Sequence, residues 1–200
     1  MRKGILYVVS GPSGAGKGTV MQHFLPRHPD MFYSISATTR SPRVGEEDGV
    51  HYYFMEKEDF VHLKAENGFL ESAEFCGNFY GTPKEAVMQK LSNGIDVLLE
   101  IEVQGAMQVM ESYPEGVFIF IAPPSMDELR NRLTGRKTEE ASVIESRLQR
   151  AREELCLAER YTYIVVNDVA EEAAEELEAI TKAELARSER KYAFVKENLL

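Results

Sequence analysis

The 200-residue sequence is poor in cysteine, in basic side chains and in long apolar runs. Its two cysteines, Cys76 and Cys156, match no metal-ligand spacing, so we expect two reduced thiols. With 23 basic against 33 acidic residues the net charge is −10, which disfavours nucleic acid as a partner because its binding needs a basic face. No apolar run reaches membrane length, and the N-terminal apolar stretch is too short for a signal peptide. We therefore expect a cytoplasmic protein with no nucleic-acid or membrane partner.

What the sequence does contain is a regular alternation of β-rich apolar runs and helical stretches. The predicted buried strands are Ile5–Ser10, Asp96–Val103, Gly116–Ala122 and Tyr161–Val166. The predicted helices are Lys17–Leu25, Thr82–Asn93, Gln104–Ser112 and one from about Val169 to the end. Capping boxes predict helix starts at Thr82 and Ser125. The alternation predicts an α/β fold with a parallel sheet.

Two stretches interrupt this alternation. Residues 34–81 predict a small α+β insertion with strands at His51–Met55 and Phe69–Phe75 and a helix at Lys57–Glu66. Residues 125–159 are predicted to be almost entirely helical. We therefore expect one sheet-based core that carries two inserted regions.

A glycine-rich loop follows the first predicted strand and opens the first predicted helix. It fits GxxxxGK and consists of Gly11, Pro12, Ser13, Gly14, Ala15, Gly16, Lys17, Gly18 and Thr19. Glycines let backbone N–H groups turn inward around phosphate oxygens, and the helix N-terminus adds positive potential. Lys17 would supply a charge on the transferred phosphate. The loop predicts binding of a nucleoside triphosphate.

The residue that follows the loop lysine differs from the one usually found at this metal-binding position. Gly18 occupies the position after the lysine, where a serine or threonine usually contacts Mg²⁺. Thr19 is the candidate protein ligand from one residue later. Otherwise we expect Mg²⁺ to be held mainly by nucleotide oxygens and water, which it prefers to retain.

Further segments identify the kind of phosphate-loop protein. The NKxD motif of GTPases is absent. The remaining motifs are Ser36-Ala37-Thr38-Thr39-Arg40-Ser41-Pro42-Arg43, Gly49-Val50-His51-Tyr52-Tyr53-Phe54, Phe79-Tyr80-Gly81-Thr82, the stretch 96–105 and Arg132-Leu133-Thr134-Gly135-Arg136. In these motifs and their order the chain resembles guanylate kinase from end to end.

The resemblance implies a fold and a division of the chain. It implies an α/β P-loop NTPase three-layer core with a parallel five-stranded sheet, formed by residues 1–33, 84–124 and 160–200. Residues 34–83 would form the GMP-binding insertion and residues 125–159 the helical lid. The implied reaction is Mg²⁺- and ATP-dependent phosphorylation of GMP, with dGMP as a further acceptor, in purine nucleotide metabolism and GMP recycling.

The resemblance also implies residue roles. The GMP-binding residues would be Ser36, Arg40, Arg43, Tyr52, Glu71, Tyr80, Thr82, Glu100 and Glu102. The catalytic residues would be Lys17, Arg40, Arg132, Arg136 and Arg147, and Asn167 would contact the ATP adenine. No catalytic base is expected, because the acceptor phosphate is already an anion. The lid would fold over the phosphates only when both nucleotides are bound.

Other readings stay open on the residues alone. Arg40 and Arg43 could be solvated surface charges, and the lid arginines could form salt bridges along an exposed helix. The acceptor could be AMP, dTMP or a small metabolite, although Glu71 argues against this because adenine offers no paired donors to a carboxylate. A non-catalytic scaffold domain is a further alternative, which the intact loop with Lys17 disfavours. The oligomeric state is left open.

Overall fold

The computed structural model describes residues 2–75, 77–135 and 141–199. The strands in these ranges are β1 Leu6–Ser10, β2 Phe32–Tyr33, β3 Ala37–Thr38, β4 Tyr53–Phe54, β5 Phe69–Phe75, β6 Asn78–Pro83, β7 Val97–Glu100, β8 Val117–Ala122 and β9 Tyr163–Val166. The α-helices are α1 Lys17–Phe24, α2 Lys57–Ala65, α3 Lys84–Ser92, α4 Val103–Ser112, α5 Met126–Thr134, α6 Ala141–Leu155, α7 Ala170–Ala186 and α8 Ser188–Asn198. None of these helices is long and apolar enough to cross a membrane.

A five-stranded sheet runs in the order β2-β7-β1-β8-β9. Within it β1 and β2 both pair with β7 in parallel, and β8 pairs with β9 in parallel. Every residue of β1 and β8 is buried, as expected of strands that are covered on both faces. The predicted α/β class and five-stranded parallel sheet are confirmed.

The chain divides into two compact units. Unit 1 comprises Met1–Lys3, Gly11–Pro29 and Ile119–Leu200, and so contains the glycine-rich loop, α1 and α5 to α8. Unit 2 comprises Gly4–Ser10 and Asp30–Phe118, and so contains β1 to β7 and α2 to α4.

Unit 2 carries a second sheet, in the order β4-β3-β6-β5. β3 pairs with β4 in parallel and with β6 antiparallel, and β6 pairs antiparallel with β5. The fully buried ring of Phe60 on α2 stacks on Phe69 and Phe79, with centroids 4.3 and 5.4 Å away. The sheet and α2 lie within the stretch for which the sequence predicts a small α+β insertion, except that β6 runs two residues past its predicted end at residue 81.

The ends of several elements differ from the predictions. The strand expected at Asp96–Val103 ends at Glu100, because the chain turns there into α4, whose N-cap is Glu102. The capping box at Ser125 is confirmed, since its Oγ accepts a hydrogen bond from the Glu128 N–H at 3.0 Å. The capping box at Thr82 is wrong. Thr82 is the fifth residue of β6, and its hydroxyl is used elsewhere.

The C-terminal third also departs from its predicted form. The strand expected at Tyr161–Val166 begins at Tyr163, and the side chains of Ile164 and Val166 are exposed because β9 is an edge strand of its sheet. The single helix expected from Val169 is two helices. The backbone is extended at Arg187, with φ −57° and ψ 138°, which ends α7 and starts α8.

Candidate active site

The glycine-rich loop in unit 1 depends on close backbone contacts. Gly11, Gly14 and Gly16 have φ values of 149°, 90° and 88°, which side chains rarely tolerate. A Cβ atom at Gly11 would lie 2.1 Å from the Ile121 carbonyl oxygen. One at Gly14 would lie 2.9 Å from the Leu129 side chain of α5. Substituting either glycine would therefore strain the backbone, and at Gly11 the new side chain would also force the loop away from the neighbouring strand.

Lys17 lies over the same loop at the start of α1. Its Nζ donates hydrogen bonds to the carbonyl oxygens of Gly11, at 2.6 Å, and Pro12, at 3.4 Å. Gly16 occupies the N-cap of α1 and has no side chain with which to cap the first N–H groups of the helix. The ammonium group and the helix N-terminus therefore act on the same loop, and together they make it suited to binding phosphate.

Asn167 follows β9 and supports the loop from beneath. It is 3% exposed, and its Nδ2 donates a 2.7 Å hydrogen bond to the Ala15 carbonyl oxygen. A Cβ atom at Gly16 would lie only 2.4 Å from this Nδ2. The Oδ1 atom is buried and has no hydrogen-bond partner among the described residues. One end of the Asn167 amide therefore braces the loop, and the other is an unused acceptor.

Two of the predicted lid arginines lie against the loop. Arg132 on α5 donates to the carbonyl oxygens of Asn167 at 3.0 Å and Ala15 at 3.5 Å. Arg147 on α6 donates to the Ser13 hydroxyl at 3.0 Å. Helices α5 and α6 thus place both side chains at the loop, and their contact with nucleotide phosphates stays a prediction. Arg136, the third predicted lid arginine, lies outside the described residues.

Salt bridges on these helices do not replace the loop contacts. Arg132 also donates from Nε to Glu128 at 2.9 Å, and the hydrogen bonds that Glu128 accepts from Arg132 and Asn131 lower its pKa. Arg132 thus contacts a carboxylate and the loop at once, so its salt bridge does not keep it away from the loop.

An apolar cluster fixes the two arginine-bearing helices together. Its buried members are Leu129, Leu133, Ile144, Leu148 and Ala151. They recur at three- and four-residue spacing and so form one face of each helix. The arginines therefore project from helices that are held by a packed core.

Thr19 carries the hydroxyl that the sequence offers as a candidate ligand for a metal ion, since the other hydroxyl of the loop, that of Ser13, accepts a hydrogen bond from Arg147. Thr19 is exposed in the first turn of α1. Across residues 2–75, 77–135 and 141–199, no group of three or more His, Cys, Asp or Glu side chains could hold a metal. A single hydroxyl oxygen fits Mg²⁺, which keeps most of its water and needs one or two protein ligands.

The predicted phosphate-binding residues of unit 2 form one cluster. Arg40 donates from Nη2 to both carboxylate oxygens of Glu46 at 2.9 Å. Its guanidinium carbon lies 5.4 Å from the Tyr52 ring centroid, and the Tyr52 and Tyr80 centroids are 6.2 Å apart. Burial opposes the charge of Arg40, but the hydrogen bonds with Glu46 and Tyr80 raise its pKa. Arg43 lies in the same loop with an exposed side chain.

Glu46 belongs to this cluster, although no role was predicted for it from the sequence. Besides binding Arg40, it accepts a 2.8 Å hydrogen bond from the backbone N–H of Arg43, and that bond together with Arg40 lowers its pKa. The spacing of three residues from Arg43 and six from Arg40 within a turn was an available clue. Glu46 therefore fixes the direction of the Arg40 guanidinium.

The predicted base-reading residues are buried together. Glu71 is 8% exposed and accepts a 2.7 Å hydrogen bond at Oε1 from the hydroxyl of Thr82, which is 1% exposed. Burial raises the pKa of Glu71, and the hydrogen bonds from Thr82 only partly offset that effect. The site thus has a largely desolvated carboxyl group with strong demand for hydrogen-bond donors.

The remaining predicted residues lie at or near strand ends. Glu100 at the end of β7 accepts a 2.9 Å hydrogen bond from the Tyr33 hydroxyl, whose pKa is raised by burial and then by this carboxylate. Glu102 is the exposed N-cap of α4. Ser36 is half-buried before β3, and its carbonyl oxygen accepts from the Tyr53 N–H. Ligand sites of parallel α/β sheets form at such carboxyl ends.

Comparison with known proteins identifies the family of this chain. A guanylate kinase family profile matches residues 3–184. The guanylate kinase of Desulfitobacterium hafniense (strain Y51) is 54% identical over 192 residues, 96% of each chain. That of Carboxydothermus hydrogenoformans is 52% identical over 190 residues, 95% of this chain and 93% of its own. The crystal structure of guanylate kinase from Anaplasma phagocytophilum has a TM-score of 0.76 at 34% identity and covers 99% of this chain and 96% of its own. The chain has their P-loop α/β fold and belongs to the guanylate kinase family.

Proposed function

We propose that this chain transfers the terminal phosphate of ATP to GMP and so produces ADP and GDP. Membership of the guanylate kinase family supports the reaction and both substrates. The observation that carries the choice of acceptor is the buried Glu71 carboxylate with its Thr82 partner. Guanine presents N1–H and an N2 amino group side by side, and a carboxylate accepts from both. Adenine would leave this carboxylate with Thr82 but without those two donors, a mismatch that costs roughly 10⁴-fold in kcat/KM.

The acceptor phosphate is assigned to the Arg40 cluster. A guanidinium presents paired donors that match phosphate oxygens, and the Tyr52 and Tyr80 hydroxyls can donate beside it. Glu46 orients Arg40 in advance, which lowers the entropic cost of binding. Arg43, Ser36, Glu100 and Glu102 are assigned supporting contacts to GMP.

The donor nucleotide is assigned to the loop and the arginines around it. The loop N–H groups and Lys17 would bind the ATP phosphates, with Arg132 and Arg147 beside them. The buried Oδ1 of Asn167 is suited to accept a hydrogen bond from the adenine amino group, because it is an unpaired acceptor. Arg136 is proposed on the family resemblance alone.

Catalysis needs no proton acceptor in this scheme. The attacking oxygen belongs to a phosphate anion, so the barrier comes from bringing two polyanions into line. Lys17, Arg40, Arg132 and Arg147 offset that repulsion as charge shifts to the leaving oxygen. A Mg²⁺ ion bound to ATP, with Thr19 as its one candidate protein ligand, would supply further charge neutralisation.

Finer points of the function are also proposals. We expect dGMP to be an acceptor, because the contacts assigned to GMP reach its base and phosphate and none is assigned to the 2′-hydroxyl. A cytoplasmic role in GMP recycling follows from the sequence prediction. Closure of the lid on both nucleotides also stays a prediction, and it would suppress ATP hydrolysis by water.

The assignment is tested by an ADP-release assay with GMP, dGMP, AMP, CMP, UMP and dTMP as parallel acceptors. We expect turnover with GMP and dGMP that exceeds turnover with AMP by at least ~10³-fold. Equal activity with AMP would refute the acceptor assignment. Tight GMP binding without any turnover would instead support the scaffold alternative.

The role of Lys17 has its own test. Lys17→Met should lower kcat by ~10²-fold or more, because it removes a charge that stabilises the transferred phosphate. Lys191→Met, an exposed lysine on α8, is the matched control and should leave kcat unchanged. A near-normal kcat for Lys17→Met would rule out its assigned role.

A further inference from the structure

The strand that carries Glu71 is irregular at that position. Phe69 of β5 pairs with Pro83 of β6, but Ser72 pairs with Gly81, so the register shifts between them. Leu70 and Glu71 therefore both lie opposite the single residue Thr82. Such an irregularity redirects a side chain but interrupts the ladder of hydrogen bonds that would hold the strand.

Helix α4 supplies hydrogen bonds to the irregular stretch. The Ser72 N–H donates to Oε1 of Gln108 at 3.0 Å, and Nε2 of Gln108 donates to the Ser72 carbonyl oxygen at 3.1 Å. The Ser112 hydroxyl lies 3.4 Å from the Leu70 carbonyl oxygen. The Gln108 amide thus acts like a neighbouring peptide group for the residue directly after Glu71.

The same helix leaves room for the Glu71 carboxylate. A Cβ atom at Gly105 would lie 2.6 Å from Glu71 Oε2 and 3.1 Å from its Cδ. Gly105 is buried, and it is three residues before Gln108 on the same face of α4. Any side chain at 105 would have to displace the carboxylate rather than the backbone.

We propose that Gly105 and Gln108 are positioning residues for guanine selection. Gln108 fixes the backbone beside Glu71, and Gly105 sets how far the carboxylate may approach α4. Neither needs to touch the nucleotide. The inference rests on the proposed function of Glu71 as the reader of the guanine edge, and it adds the residues that determine where that carboxylate lies.

The test compares GMP with IMP, which keeps N1–H but lacks the N2 amino group. Gly105→Ala and Gln108→Leu should each lower the GMP-to-IMP ratio of kcat/KM about 10-fold or more, through a higher KM for GMP. The KM for ATP should stay within about twofold, because the loop lies in unit 1. Gly105→Ala should change the thermal midpoint little, because the atom that it displaces is the end of a flexible side chain and because alanine favours a helix more than glycine does. A fold defect would lower that midpoint instead.

Two further variants separate the possible failures. Gln89→Leu makes the same chemical change at an exposed position of α3 and should leave the ratio unchanged. Glu71→Gln should lower the GMP-to-IMP ratio of kcat/KM. The double variant Glu71→Gln/Gly105→Ala should have the same ratio as Glu71→Gln alone. An unchanged ratio in Glu71→Gln would overturn the proposed role of Glu71. A lowered ratio in Glu71→Gln with unchanged ratios in Gly105→Ala and Gln108→Leu would overturn only the positioning inference.

Discussion

At the scale of single residues, the role proposed for Glu71 sets base selection against stability. Glu71 is buried beside Thr82, and burial raises its pKa. A carboxylate in such a place is poorly solvated until a ligand donates hydrogen bonds to it. The same desolvation that costs folding energy makes a missing guanine donor costly, so stability and base selection are opposed at this residue.

Because burial of ionised Glu71 costs stability, the difference in stability between Glu71→Gln and the parent protein should depend on pH. A carboxyl group whose pKa is higher in the folded than in the unfolded protein stabilises the fold while it is protonated, below its unfolded pKa. This stabilisation is lost as the pH rises through the folded pKa. Glutamine stays neutral throughout. The variant should therefore unfold at a higher temperature than the parent at pH 7, and the two should converge below about pH 4.

Thermal unfolding followed by circular dichroism at pH 7 and pH 4 measures this effect. Glu74→Gln, at an exposed position of the same strand, removes the same charge without relieving burial. It should change the midpoint at pH 7 less than Glu71→Gln does. A parent that is more stable than Glu71→Gln at pH 7 would contradict the argument.

At the scale of elements, the junction of α7 and α8 depends on one buried carboxylate. Glu184 near the end of α7 is 0% exposed and accepts a 2.7 Å hydrogen bond from the Tyr163 hydroxyl of β9. Arg187 and Arg190, on either side of the start of α8, also bond to it. Burial opposes the charge, but these donors prevail and lower the pKa of Glu184. The contacts link a strand and two helices where the backbone changes direction.

We expect Glu184→Gln to destabilise the protein by about 2 kcal/mol at pH 7, because charge-assisted hydrogen bonds are lost. A carboxyl group whose pKa is lower in the folded than in the unfolded protein stabilises the fold while it is ionised, above its unfolded pKa. This stabilisation is lost as the pH falls through the folded pKa. The deficit should therefore shrink in acid. Urea unfolding at pH 7 and at low pH measures it.

Glu189→Gln provides the comparison for this prediction. Glu189 also bonds to Arg187, at 3.0 Å, but its side chain is 61% exposed. Removing an exposed ion pair should change the unfolding free energy by less than about 1 kcal/mol. Equal losses for Glu184→Gln and Glu189→Gln would show that burial does not set the strength of these contacts.

At the scale of the whole molecule, each compact unit carries the residues assigned to one nucleotide. The loop, Arg132, Arg147 and Asn167 belong to unit 1, whereas Arg40, Glu46, Glu71 and Thr82 belong to unit 2. The phosphate donor and its acceptor are therefore assigned to separately packed parts of the chain. Each nucleotide alone should stabilise mainly the unit that binds it.

Hydrogen exchange tests this expectation. GMP alone, at about 100 times its Kd, should slow locally exchanging amides of β3 to β6 by up to ~100-fold. A non-hydrolysable ATP analogue alone should instead protect the loop and the start of α1. Amides of α8, in unit 1, serve as the reference for GMP, and amides of α2, in unit 2, serve as the reference for the ATP analogue. Equal protection of both units by either nucleotide would refute the division of binding residues between them.

Local features of the chain were predictable from the sequence because their causes are local. The glycines of the loop, the apolar runs of β1 and β8, and the Ser125 cap each follow from the conformational or burial preference of adjacent residues. The motifs around Arg40 and Tyr80 predicted GMP as the phosphate acceptor, through their resemblance to guanylate kinase. By itself the sequence therefore determined the fold class, the phosphate loop and the family.

The tertiary structure decided the features that join distant parts of the chain. The Ser72–Gln108 and Ala15–Asn167 hydrogen bonds span 36 and 152 residues, and no periodic pattern encodes such pairs. A local pattern also gave a wrong prediction where a residue has a tertiary partner: the Thr82 hydroxyl, predicted to cap a helix, donates its hydrogen bond to Glu71 instead. A local pattern reports what a residue prefers among its neighbours, whereas a buried polar group takes the partner that folding brings to it. The phosphate-binding loop is thus visible in the sequence, but the placement of the carboxylate to which we assign guanine selection is a property of the folded chain.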